Sequence, residues 1–132
     1  PHLVRPRGLG DAETSQAVPE FIRNHAMPQL QGHAAFHARV AANALDIVKR
    51  EMEIGPEAAA GELARLRALL ARDGTMEELN RELCVRIEKG ELTLDTPGLK
   101  DHLWETTLTK VAIDQPKYSG YRRALEESGQ GK

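Results

Sequence analysis

The sequence predicts an all-α protein, and three observations carry that expectation. The 132 residues hold 17 Ala and 16 Leu against 6 Val and 5 Ile, a bias toward helix formers and away from the β-branched residues that favour strands. Apolar residues recur at the helical spacing i, i+3, i+4, i+7 in one segment after another. Between those segments stand Gly, Pro and Thr in the positions that start and stop helices. Aromatic residues make up only 4% of the chain, so the core should be aliphatic, built from Leu and Ala at helix contacts. Short linkers force consecutive helices to run antiparallel, and the expected architecture is an up-and-down helical bundle of about five helices, four main plus one flanking.

Each element follows from local signals. From Asp11, the residues Val18, Phe21, Ile22 and His25 mark one helix face, with Pro19 tolerable near the start or as a kink, and Pro28 ends the helix. A second and most apolar helix is expected from about His33 to Ile54, with Phe36, Val40, Ala44, Ile47 and Val48 inward. Gly55 should stop it, and Pro56 should open a third helix at its first position. Leu63, Leu66 and Leu70 supply the stripe of that helix up to Asp73 and Gly74. Thr75 and Glu78 form a capping box, and Met76, Leu79, Leu83 and Ile87 then carry a fourth helix that Gly90 closes. Thr96 and Pro97 repeat the cap-plus-proline device before a fifth helix through Leu99, Leu103, Trp104, Leu108 and Val111, which Pro116 ends. One more short helix is expected around Tyr121 to Glu127.

Composition excludes several classes of function. The length suits one domain, expected over 11–132, with residues 1–10 as a flexible arm that carries no acid and no apolar stripe. A formal charge of -2 and a pI near 6.2 argue against a dedicated nucleic-acid binder, which normally needs a basic excess. No apolar run approaches the roughly 18 to 20 residues of a membrane span. Cys84 is the only cysteine, so a disulfide framework and a Cys-based zinc site are both excluded, and a cytoplasmic setting is expected. Cys84 itself reads as a small buried hydrophobe.

Three groups of residues could carry chemistry. His33 and His37 lie at i, i+4, which places both imidazoles on one helix face, a spacing that can chelate a metal if His102, Glu51 or Glu82 supplies a third ligand. The bland reading makes His33 a surface residue and His37 a partly buried, hydrogen-bonded one. Asn43 falls within the stripe Phe36, Val40, Asn43, Ile47, where a hydrocarbon is expected. It either lines a polar pocket with His37, Arg39 and Asn80 or pairs with Asn80 or a helix-end carbonyl to fix helix register. Lys117 to Arg123 interleaves Tyr118 and Tyr121 with Arg122 and Arg123, a combination that can clamp a phosphate, although such stretches more often pack as a tail. No Gly-rich phosphate loop, nucleophile elbow or CxxC pair is present, so no catalytic residue is expected.

The segment Ala35-Phe-His-Ala-Arg-Val-Ala-Ala-Asn-Ala-Leu-Asp-Ile-Val-Lys-Arg-Glu51 carries a resemblance together with Leu79-Asn-Arg-Glu-Leu-Cys84, Gly90-Glu-Leu92 and Lys110-Val-Ala-Ile-Asp-Gln-Pro-Lys-Tyr118. It resembles a small bacterial all-helical family of uncharacterised function. Members of that family tend to be encoded beside, and are sometimes named after, aminoglycoside-phosphotransferase-like and acyl-CoA-dehydrogenase-like proteins. The resemblance runs from about Pro19 to Tyr118 and is most specific between Phe36 and Glu51. It implies an accessory role near acyl-CoA metabolism. This chain lacks the residues and length of a phosphotransferase. The expectation is therefore a non-catalytic interaction module, without a cofactor, that binds a protein partner or itself. The alternative is a small-molecule or metal-binding bundle centred on His37, Arg39 and Asn43.

Overall fold

The computed structural model describes residues 11–130, with side chains placed from Ser15 to Gly129. The expected arm, residues 1–10, lies outside the described residues. Five α-helices are present and no strand is found among the described residues. They are α1 (Asp11–Phe21), α2 (Gly32–Leu70), α3 (Met76–Glu88), α4 (Leu99–Asp114) and α5 (Ser119–Gln130). The chain is thus all-α. Within the span expected to form one domain, contacts group into two compact units, one up to Glu53 and one from Ile54 onward.

In the first unit, α1 runs through Pro19 to Phe21 and passes into a π-helical turn, Ile22–Ala26, and a 3₁₀ turn, Met27–Gln29. Proline has no N–H and crowds the preceding turn, so the regular i to i−4 ladder is interrupted at Pro19. The wider turn follows, in which the Met27 N–H donates to the carbonyl of Ile22. Pro28 lies in the first turn of the 3₁₀ segment. Gly32, at φ +60°, opens α2. The face of α2 turned inward carries Ala35, Ala38, Ala42, Leu45, Asp46 and Lys49, all wholly or partly buried. That face lies nearly opposite the expected one. Phe36, Val40, Ala44 and Val48 are exposed, because Ala38 and Ala42 leave room for close approach and Asp46 and Lys49 find partners on the α1 side. Arg23 donates to Asp46 Oδ2 at 2.6 Å and to Asn43 Oδ1 at 2.9 Å, and Lys49 donates to Gln16 Oε1 at 3.3 Å. Side-chain hydrogen bonds do much of the joining here.

In the second unit, α2 continues from Ile54 to Leu70, with Pro56 inside the helix. The expected break at Gly55 and Pro56 is therefore corrected: Gly55 does not adopt the left-handed conformation of a helix stop. The Ala58–Ala60 run that follows favours helix strongly enough to carry it past the one backbone bond that Pro56 cannot make. The left-handed stop comes at Ala71, φ +52°, rather than at Gly74. The capping box is formed as expected: Glu78 N–H donates to Thr75 Oγ1 and Thr75 N–H donates to Glu78 Oε2, both at 3.1 Å. Gly90 closes α3 at φ +74°.

The start of α4 also differs from the sequence expectation. Gly98, at φ +87°, is its N-cap, while the Thr96 hydroxyl accepts from the Thr93 N–H and shapes the preceding turn. The core of this unit is a cluster of leucines, Leu66, Leu70, Leu79, Leu83, Leu92 and Leu99, against which Leu63, Leu69 and Met76 pack. Ile87, Leu103 and Trp104, expected inside, are exposed. The inner face of α4 is rotated by about one residue and carries Leu99, His102, Thr106 and Ile113. The tail helix, α5, is longer than the expected Tyr121 to Glu127 span.

Candidate functional site

The residues singled out from the sequence fall on different surfaces. His33, His37, Arg39 and Asn43 all lie on the first-unit part of α2, and all are exposed. Asn43 does not replace a buried hydrocarbon. Its amide oxygen accepts from Arg23, and the helix is turned so that this position meets solvent. Asn80, half-buried in the second unit, donates weakly to Glu62 Oε1 at 3.5 Å. The His37 ring meets Phe36 edge-on, with ring centres 5.6 Å apart. Of the three residues considered as a third metal ligand, Glu51 is exposed, Glu82 pairs with Arg72 and Arg86, and His102 is buried against Arg65. Among the described residues no group of three or more His, Cys, Asp or Glu converges as a metal site.

Tyr118, Arg122 and Arg123 are exposed and Tyr121 is half-buried, around the first turn of α5. Gly120 lets the Tyr118 ring lie close, because a Cβ there would stand 2.6 Å from Tyr118 Cε1 and the ring would have to move. Cys84 is exposed, which corrects the expectation that it is a buried hydrophobe.

Two features dominate the structure chemically, one in each unit. The first is the outer face of α2. Phe36 is 56% exposed, Val40 48%, Val48 50% and Met52 44%. With Ala44 they form a single ridge at i, i+4 spacing, whose last member, Met52, accepts at Sδ from the Ser15 hydroxyl of α1 at 3.6 Å. Solvent-facing helix surfaces are ordinarily polar. A contiguous row of this kind differs from apolar side chains scattered singly over a surface, which are ordinary. The sequence revealed the row but assigned it to the interior, because periodicity tells which residues share a face and not what covers that face.

The second feature, in the second unit, was not anticipated. His102 is 2% exposed, the one buried polar side chain among the described residues. Its Nδ1 accepts from Arg65 Nε at 3.0 Å. Since a guanidinium only donates, Nδ1 bears no proton and the neutral ring carries its proton on Nε2. Arg65 also donates to Thr106 Oγ1 at 3.1 Å and lies 3.5 Å from Glu105. Burial, and then the positive charge of Arg65, hold the His102 pKa below the ordinary histidine value. This cluster fixes α4 against α2 through satisfied hydrogen bonds. No buried side-chain nitrogen or oxygen among the described residues lacks a partner, so nothing in the cluster points to a missing ligand.

The fold and these surfaces define an all-helical protein with a leucine core, a satisfied buried polar cluster and an uncovered apolar helix face. No helix among the described residues is long and apolar enough to cross a membrane. Residues 28–118, well over half the chain, match a family described as a domain of unknown function, DUF6285, and the chain belongs to that family. The match begins just before α2 and ends just before α5. Neither the curated proteins nor the solved structures contain a match to it.

Proposed function

We propose that this chain is a non-catalytic interaction module whose docking surface is the outer face of α2. The exposed ridge Phe36, Val40, Ala44, Val48 and Met52 carries the reading. Such a row loses water contact favourably only against another apolar surface, at about 25 cal/mol per Å² buried. The residues that could have formed a reactive site do not oppose this. His33, His37, Arg39 and Asn43 are dispersed along an open helix surface that gives a small molecule no enclosure. The family resemblance makes a phosphotransferase-like or an acyl-CoA-dehydrogenase-like enzyme the first heterologous partner to test, in an accessory role near acyl-CoA metabolism.

Calorimetric titration of the purified chain against such enzymes, together with a measurement of its self-association, tests the reading when repeated with the Val40→Arg, Val48→Arg double variant. The expected result is an association in this set that the double variant abolishes. Because both positions are exposed, the variant should unfold within about 0.5 kcal/mol of the parent. Association indifferent to the two arginines, or none in the whole set, would overturn the reading.

A further inference from the structure

We infer that the partner of this face is a second copy of the chain, docked antiparallel on α2 about a two-fold axis passing through Ala44. The inference rests on the proposal that the face is a docking surface, and three properties of α2 carry it further.

First, the ridge is symmetric in size. It reads Phe36, Val40, Ala44, Val48, Met52, with the smallest side chain central and the largest at the two ends. In an antiparallel pair centred on Ala44, each residue meets the one equally far along on the other side. Phe36 then meets Met52 of the second copy, Val40 meets Val48, and Ala44 meets itself. The small centre permits close approach of the axes, within the usual range of about 8–10 Å. Ridges at i, i+4 spacing are also those that interdigitate in the commonest class of helix crossing, at about −50°.

Second, the polar groups on the same face are complementary under that symmetry and under no parallel alternative in register, a ring N–H donor meeting a carboxylate. His37 and Glu51 stand seven residues either side of Ala44, which places each within about 20° of its direction around the helix. Both are exposed. The antiparallel pair therefore sets His37 against Glu51 of the second copy, twice by symmetry. A parallel pair in register would set His37 against His37 and Glu51 against Glu51. The two Glu51 carboxylates would then stand as like charges across the interface, which is what wrong pairings present.

Third, the described residues of the first unit form little interior of their own. Its fully buried side chains among the described residues are Pro19 and Ala42, whereas Phe36, Val40 and Val48 face water. Small units bury a smaller fraction of their surface than large ones and are correspondingly marginal. A second copy supplies apolar cover for Phe36, Val40 and Val48.

Sedimentation equilibrium of the full chain tests this, with Ala44→Glu, His37→Glu and the double variant His37→Glu, Glu51→Lys. The wild type is expected to dimerise with a Kd of about 1–100 μM, the range of a modest interface. Ala44→Glu, a change at an exposed position, should weaken the dimer by about tenfold or more while helix content by circular dichroism is retained. His37→Glu should weaken it about fivefold or more, and Glu51→Lys in the same chain should restore it to within about threefold of wild type. A wild-type chain that stays monomeric at about 1 mM overturns the inference. So does a dimer indifferent to Ala44→Glu, and a dimer indifferent to His37→Glu overturns the antiparallel register. A monomer that still binds a partner enzyme through Val40 and Val48 overturns this inference alone and leaves the docking surface standing.

Discussion

The two units of this chain solve the same problem, holding helices together, by different means. In the second unit six buried leucines form the core, and the buried polar group that interrupts it, His102, is bonded to Arg65. In the first unit the fully buried side chains among the described residues are Pro19 and Ala42, and the α1 and α2 segments are tied by Arg23, Asp46, Asn43, Lys49 and Gln16. Phe36, Val40 and Val48 look outward. The contrast teaches that hydrophobic periodicity of equal quality can describe a core or an interface. A unit that spends its apolar face on the outside must be held inside by other contacts.

The comparison can be broken most forcefully at Leu79, which is fully buried in the second unit. Leu79→Ala should cost about 2–5 kcal/mol in chemical denaturation, since it removes buried methyl groups and leaves a cavity. A loss under 1 kcal/mol would place the stabilising core elsewhere.

Acidification probes the polar part of the same core. His102 has its folded pKa depressed below 6.5, so below that pH the unfolded chain binds a proton that the folded chain resists. Its contribution to stability is present above pH 6.5 and is lost as pH falls toward the folded pKa, with a slope of at most about 1.4 kcal/mol per pH unit. Denaturation at a series of pH values from 7.5 to 5 should show this loss, and His102→Gln should remove it.

At the turn between α2 and α3, two smaller and opposite effects are expected. Thr75→Ala should destabilise by about 1 kcal/mol, through loss of the capping box. Ala71→Gly should stabilise by about 0.5–1 kcal/mol, because Ala71 is held at a positive φ that glycine adopts freely. A thermal melt of each variant decides the sign.

The smallest effect belongs to the first unit. Asp46 is held below the ordinary carboxylate range mainly by its hydrogen bond from Arg23, against the opposing effect of burial. Its contribution is present above pH 3.8 and is lost as pH falls through the folded pKa. About a third of each partner is exposed, so Asp46→Asn should cost only about 0.2–1 kcal/mol. Amide exchange in α1 and the adjacent part of α2 should quicken more than exchange in α3 if the clasp is local.

The sequence by itself determined the class of the fold, the capping box at Thr75 and Glu78, the stop at Gly90 and the end of α4 at Asp114. Each of these rests on bonding among neighbours in the chain, so local chemistry suffices. It also determined which apolar residues lie together, because Phe36, Val40, Ala44 and Val48 share a face in any α-helix through that segment.

Only the tertiary structure decided which way that face points. Ala35, Ala38 and Ala42 admit a close neighbour, and Asp46 and Lys49 have partners on the α1 side, so a face rich in polar and small residues turned inward. The same reason explains α4, where His102 and Thr106 lie inside because Arg65, distant in sequence, satisfies both. Helix α2 runs on past Gly55 and Pro56 because the alanines beyond them outweigh a single missing backbone bond. A polar side chain is legible as internal only when its partner is known, and that partner is supplied by the fold.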